Sequence, residues 1–225
     1  PVTAAPAVDG DTVVVTLAGG EIDAFALADG TPRWAFDLRA GMSSLATSIW
    51  APPALDAGRA FAGNQGRFVS VDLATGAALW TIDASPDDPW RGSRGAPAVS
   101  VGLVIAAVDR DSGVVARDAT TGVQRWALHG RLGTAVNAAP VVAGGVAYVC
   151  NAYGDVTALD LATGAVRWTR ALFPDGFDWA YAITAAPAYA NRTLFVPTQW
   201  GALVALDAAT GSERWRVTTP GGPLE

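Results

Sequence analysis

The stretch Ala158-Leu159-Asp160-Leu161-Ala162-Thr163-Gly164, closed four residues later by Trp168, decides the fold. Outward from it in both directions the same phrase returns, and its other copies end at Trp34, Trp80, Trp126 and Trp215. Successive tryptophans are 46, 46, 42 and 47 residues apart. A second marker keeps step with the first: Ala5-Pro6, Ala51-Pro52, Ala96-Pro97, Ala139-Pro140 and Ala186-Pro187. Two markers sharing one period identify a repeat protein. A unit of this size cannot bury its own apolar faces, so the copies must stack on one another.

Each unit reads as four short strands. In the fourth, Pro140-Val141-Val142 is a first strand and Gly144-Gly145 a tight turn. Val146 to Cys150 is a second strand, Asn151 to Gly154 a loop, and Val156 to Leu159 a third strand. Thr163-Gly164 closes a hairpin, and Val166 to Thr169 is the outermost strand. Apolar runs of this length bounded by Gly, Asn and Asp mark strands rather than helices. The fold class expected is all-β: a β-propeller of five four-stranded antiparallel blades. Its units fall at about 5–50, 51–95, 96–138, 139–185 and 186–225 of a single domain, 1–225. A β-solenoid is the weaker alternative, because its rungs are shorter and lack paired hairpins.

The phrase has a physical sense. Trp is large and apolar, with an N–H that needs a partner when buried. On the outer strand it can cover the seam between blades, and the Ala that opens the phrase leaves room for a ring. Asp72, Asp118, Asp160 and Asp207 each precede the turn Thr by three residues, placed to accept turn N–H groups. Repetition assigns these aspartates to the scaffold rather than to catalysis.

Gly-x-x-x-Ala-x-Asp-x-x-Thr-Gly-x-x-x-Trp resembles the tryptophan-docking motif of PQQ-like propellers. That family includes quinoprotein alcohol dehydrogenases, BamB-type outer-membrane assembly lipoproteins and propeller domains attached to bacterial receptor kinases. The resemblance covers nearly the whole chain and is specific for fold; it is poor for function, because the motif is scaffold. The first unit departs from it, with Ala26 in place of the Asp and Asp29 in place of the Thr. The second unit has Ser70 for the Ala, and the third has Ser112 where the early Gly stands elsewhere. Relatives commonly have eight blades. This chain therefore reads either as a minimal five-unit ring or as part of a larger one. An unclosed arc would expose apolar blade faces and self-associate. Val2-Thr3 is the one stretch that offers a short additional pairing.

Composition excludes several functions. Net charge is −6 and all 15 basic residues are arginine, a balance that argues against nucleic-acid binding. The apolar stretches are strand-length, short of the ~20 residues of an integral membrane span. Cys150 is the single cysteine and His129 the single histidine, so neither a disulfide within the chain nor a zinc pattern exists. Asp87-Asp88 and Asp109-Arg110-Asp111 lack the spacing of a calcium loop and read as surface charge. The chain opens at Pro1 with no visible signal peptide; a periplasmic or extracellular address in a bacterium is implied by the resemblance alone.

Loops leaving the outer strand and loops joining the second and third strands share one face, opposite the Thr-Gly turns. Trp50, Trp90 and Trp179 lie in the longer outer connections, and Trp200 in a second-to-third-strand loop, all outside the docking phrase. The expected contact surface is Trp50, Trp90, Arg91, Arg94, Trp179, Tyr181 and Trp200, since aromatic and Arg enrichment marks interfaces and ligand sites. Plugging of the central channel by these rings is the competing account. The function expected is non-catalytic binding or scaffolding, with a protein partner or small molecule at this face and no cofactor. The alternatives are a ligand-sensing domain of a receptor kinase and a fragment of a quinoprotein dehydrogenase. The latter resemblance implies a vicinal cysteine pair and more blades, which this chain does not supply.

Overall fold

A computed structural model describes residues 1–2, 4–41, 49, 51–64, 66–83, 95–108, 113–129, 136, 138–173, 183, 185–199 and 201–218. Among them there are strands and turns and no helix. The first sheet holds β1 (Ala7–Asp9), β2 (Thr12–Thr16), β3 (Glu21–Ala26) and β4 (Pro32–Asp37). The second holds β5 (Ala54–Asp56), β6 (Arg59–Gly63), β7 (Arg67–Asp72) and β8 (Ala78–Asp83). The third holds β9 (Ala98–Ser100), β10 (Leu103–Val108), β11 (Gly113–Asp118) and β12 (Gln124–Leu128). The fourth holds β13 (Val141–Ala143), β14 (Val146–Cys150), β15 (Asp155–Asp160) and β16 (Val166–Ala171). The fifth holds β17 (Ala188–Ala190), β18 (Thr193–Pro197), β19 (Ala202–Asp207) and β20 (Glu213–Thr218). Strand order in each sheet follows chain order and every pairing is antiparallel, as consecutive hairpins require.

The opening residue of the phrase stands directly opposite the tryptophan in all five sheets: Ala24 with Trp34, Ser70 with Trp80, Ala116 with Trp126, Ala158 with Trp168 and Ala205 with Trp215. A small residue there leaves the cross-strand position to the indole. The register shifts immediately after it in every sheet, a bulge that adds local twist.

Sheets pack face to face in chain order. The short inner strands neighbour one another in the series β1, β5, β9, β13, β17. Each seam has its own core. Val14, Ile22 and Ala24 meet Ala60, Val69 and Val71 at the first, and Phe61 and Phe68 meet Val104 and Val115 at the second. Ile105 and Val114 meet Val149 and Leu159 at the third, and Tyr148 and Val156 meet Val196, Val204 and Leu206 at the fourth. None of these cores joins the fifth sheet to the first. Val2 does form a bridge, with Leu17 of its own unit. The second and third strands of the middle sheets are covered on both faces, which is why they read as near-continuous apolar runs.

Candidate functional site

The face carrying the Thr-Gly turns is built from the phrase. Four of the five phrase tryptophans reach across a seam and donate the indole N–H to a carbonyl in the turn of the next unit. Trp34 bonds Leu73 at 2.9 Å and Trp80 bonds Ala119 at 3.0 Å. Trp126 bonds Leu161 at 2.9 Å and Trp168 bonds Ala208 at 3.1 Å. The ring lies flat against the turn glycine: a methyl group on Gly164 would stand 2.7 Å from Trp126, and one on Gly211 2.6 Å from Trp168. Those glycines also sit at φ +73, which L side chains rarely adopt. The phrase therefore contains both halves of one contact, the donor of its own seam and the receiver of the seam before it.

The repeated aspartates hold the receiving turn. Asp160 Oδ1 accepts Thr163 N at 3.0 Å, Thr163 Oγ1 at 2.9 Å and Ala162 N at 3.1 Å. Its other oxygen pairs with Arg167 at 2.7 Å. Asp118 with Arg125 and Asp207 with Arg214 repeat the arrangement. Hydrogen bonds from Arg167 and Thr163 hold the Asp160 carboxyl down to about 2, and Arg214 does the same for Asp207. Such carboxylates are occupied by the scaffold and poor proton acceptors near neutral pH. The first unit lacks the aspartate yet keeps the turn: Gly30 N bonds Ala26 O at 2.9 Å, and Asp29 Oδ1 takes the Thr31 N–H at 2.9 Å.

The opposite face carries the loops. Asn64 and Asn151 are fully buried there and organise two of them; Asn151 Oδ1 accepts the Tyr153 and Asp155 N–H groups at 3.0 and 2.9 Å. Arg67 bonds the Leu38 and Ala40 carbonyls at 3.1 and 2.7 Å, tying the start of the first outer connection to the second sheet. Arg216 does likewise with the Leu172 carbonyl at 3.0 Å. The strand ends at Asp37, Asp83, Ala171, Pro197 and Ala202 all open on this face. Trp50, Trp90, Arg91, Arg94, Trp179, Tyr181 and Trp200 lie outside the described residues. So do Asp87-Asp88 and Asp109-Arg110-Asp111. Tyr153 is described, and it is exposed on its loop.

A cavity of about 220 Å³ opens at the fourth seam, on the turn face, where no ligand site was expected from the sequence. Tyr148, Tyr189, Arg167, Arg192 and Val146 line it. The two tyrosine rings stack with centroids 6.0 Å apart. Tyr148 O–H donates to the Ala208 carbonyl at 3.1 Å, the oxygen that Trp168 also uses. Burial pushes the Tyr148 hydroxyl above its ordinary value and keeps it a donor. Arg192 is exposed, in left-handed backbone at φ 59. The available signal was positional: Tyr148 stands where the other units have Val14, Phe61, Ile105 and Phe195.

The isolated Cys150 and His129 do not form a pair. Cys150 is buried, and desolvation pushes its thiol up to about 12; His129 is exposed at the end of β12. Among the described residues no three His, Cys, Asp or Glu side chains come together as a metal site. No described helix is long and apolar enough to cross a membrane.

The sequence profile described as "Outer membrane protein assembly factor BamB" matches residues 1–91, 42–177 and 175–225. Among solved structures, BamB from Moraxella catarrhalis aligns with TM-score 0.75 and 20% identity, over 96% of this chain and 61% of that one. Quinohemoprotein alcohol dehydrogenase from Comamonas testosteroni aligns with TM-score 0.80 and 19% identity, over 99% of this chain and 44% of that one. The computationally designed Ika8 protein aligns with TM-score 0.74 and 17% identity, over 98% of this chain and 63% of that one. The chain thus spans less than two thirds of each, and at these identities the likeness is one of fold. No curated protein matches the sequence.

Proposed function

The chain belongs to the family of the outer membrane protein assembly factor BamB, and on that premise we propose that it is a non-catalytic binding or scaffold protein. It presents the aromatic and arginine-bearing loop face to a protein partner or a small ligand. Trp50, Trp90, Arg91, Arg94, Trp179, Tyr181 and Trp200 carry the contact. The supporting observation is the assignment of the phrase tryptophans: Trp34, Trp80, Trp126 and Trp168 each donate to the next unit. Those four tryptophans fill the docking position of the phrase, and Trp50, Trp90, Trp179 and Trp200 lie outside the phrase in sequence, which supports giving them to recognition. A non-catalytic role also fits the aspartates, since Asp118, Asp160 and Asp207 are held by turn N–H groups and arginines. A periplasmic or extracellular site of action is part of the same proposal, and the family description as an outer membrane assembly factor supports it.

Two measurements test this function. Urea unfolding of Trp90→Ala and Trp179→Ala is expected to show costs below ~1 kcal/mol each, as for residues outside a core. Costs of ~3–5 kcal/mol each would make them channel plugs and sink the assignment. A photo-reactive side chain at position 90, in bacterial outer-membrane extract, is expected to link one discrete partner that the same group at position 163 on the turn face does not.

A further inference from the structure

The cavity at the fourth seam lies where one seam departs from the other three. Its walls are the fourth and fifth sheets, which pack on each other through their own core. At the first three seams the corresponding positions hold Val14 and Leu55, Phe61 and Val99, and Ile105 and Val142. At the fourth they hold Tyr148 and Tyr189, with stacked rings. The Tyr148 hydroxyl is spent on the Ala208 carbonyl, so this side chain presents its ring as a buried wall.

Two arginines that line the cavity also break the repeat. Arg192 is the second residue of the two-residue turn between β17 and β18, at φ 59. Gly58, Gly102 and Gly145 hold that place in the second, third and fourth units, at φ 73, 73 and 74. A turn with positive φ at both residues favours glycine there, and a long side chain in its place stores backbone strain. What the strain secures is a guanidinium at the cavity. The carboxylates of the adjoining turns, Asp160 and Asp207, are held by Arg167 and Arg214. Arg192 has no acid partner among the described residues. Arg167 is the second case. In the first and fifth units the arginine at its position donates Nη1 to a threonine hydroxyl, Arg33 to Thr12 at 2.7 Å and Arg214 to Thr193 at 2.8 Å. Val146 stands at the place of those threonines in the fourth unit. Arg167 therefore donates through Nη2 to Asp160 at 2.7 Å, and its Nη1 has no acceptor among the described residues.

We propose that this cavity binds a small aromatic carboxylate, with the ring against Val146 and the two tyrosines and the carboxylate on Arg192 and the open nitrogen of Arg167. Apolar and aromatic walls with a few polar groups suit a flat ring. The volume, about 220 Å³, is below the ~300–1,000 Å³ of pockets for drug-sized molecules, so the occupant is a single ring. Guanidinium N–H groups match the two oxygens of a carboxylate. Asp160 offsets part of the Arg167 charge, so Arg192 supplies most of the selection for an anion. Arg167 is half in water and Arg192 is exposed, which sets a modest affinity that falls with salt. The site is on the turn face and stands independently of the loop-face function proposed above.

Calorimetric titration of the full chain with benzoate tests the proposal. Saturable binding at one site is expected, with a Kd on the order of 0.1–1 mM. Benzamide keeps the ring and loses the charge, and is expected to bind about tenfold more weakly or worse. Acetate keeps the carboxylate and loses the ring, and is expected to weaken by about tenfold as well. Arg192→Gly installs the residue that three other units use, so its melting temperature is expected to hold or rise. The same variant is expected to weaken benzoate about fivefold or more, a loss that unfolding cannot explain. Val146→Thr gives Arg167 the hydroxyl acceptor of the first and fifth units, and is expected to weaken benzoate about threefold. Absence of binding up to about 10 mM benzoate would overturn the proposal. Equal affinity for benzamide would reduce the site to an apolar pocket, and equal affinity for acetate would remove the ring from recognition; either result sinks the assignment. Benzoate affinity unchanged in Arg192→Gly would place the anion elsewhere and sink it too.

Discussion

The Trp126 indole spans the third seam, donating to the Leu161 carbonyl at 2.9 Å while its ring rests on Gly164. It is 7% exposed, against 43% for Trp215, which has the same place in its own unit and meets no further sheet among the described residues. Two residues of one motif therefore differ by whether a neighbour is present. Trp126→Ala is expected to cost ~3–5 kcal/mol, since it removes a buried aromatic and leaves the Leu161 carbonyl without its donor. Trp215→Ala, studied at dilution, is expected to cost about 0.5 kcal/mol or less. Equilibrium urea unfolding of both variants checks the difference, and equal costs would remove the docking role.

Gly164→Ala and Gly30→Ala separate backbone strain from docking. Both glycines have φ +73, so each substitution carries the same left-handed penalty of about 1 kcal/mol. Only at Gly164 does the new methyl group also strike a tryptophan, 2.7 Å away. Gly164→Ala is expected to be the more destabilising by a further ~1–3 kcal/mol, the range for overpacking. Thermal unfolding of the two variants in dilute solution measures the gap.

The turn aspartates predict acid sensitivity of a definite sign. Asp160 and Asp207 are held down to about 2 in the folded chain, chiefly by Arg167 and Arg214, from an unperturbed 3.8. Carboxyls depressed by folding stabilise the native state above the unfolded value, and that contribution is lost as pH falls through the folded one. Stability is thus expected to decline between about pH 4 and about pH 2. The decline should be shallower in an Asp160→Asn, Asp207→Asn double variant. Because these groups are at the surface, salt should shrink the effect. Urea midpoints at several pH values read it directly.

Cys150 gives a reporter of opening. Its thiol is 1% exposed and pushed up to about 12 by desolvation, so it is protonated and shielded in the native state. Reaction with a thiol reagent is expected to follow unfolding of the β14 region rather than thiol acidity, and to accelerate in Trp168→Ala, which loosens the adjoining seam. Rapid labelling of the native chain at neutral pH would contradict the packing of the fourth sheet.

Much of this architecture was legible because the local code is repeated. Val146–Cys150 was bounded to the residue by Gly145 before it and Asn151 after it. The turn role of Asp160 followed from its distance to Thr163, and the seam role of Trp168 from its size and N–H. Other features were not legible. That Gly164 serves the tryptophan of the preceding unit concerns a contact 38 residues away in sequence, and no local pattern reports it. The Tyr148–Tyr189 cavity joins two strands of different sheets, and each tyrosine alone looks like a core or surface ring. The site residues expected from sequence, Trp50 through Trp200, lie outside the described residues, so their role stands as the functional proposal above.

The sequence by itself determined the unit: four strands, their turns, the Asp-Thr-Gly geometry and the outward tryptophan. Those features depend on residues within one period, through backbone φ preferences, short-range hydrogen bonds and strand alternation. Tertiary structure alone decided what each tryptophan meets. Trp34, Trp80, Trp126 and Trp168 find a carbonyl and a glycine in the next sheet, and Trp215 packs on Phe195 of its own sheet and stays 43% exposed. The five tryptophans end near-identical phrases, so no reading of one phrase could distinguish them. Burial belongs to the pair of faces that meet, and that pairing exists only once the sheets are stacked.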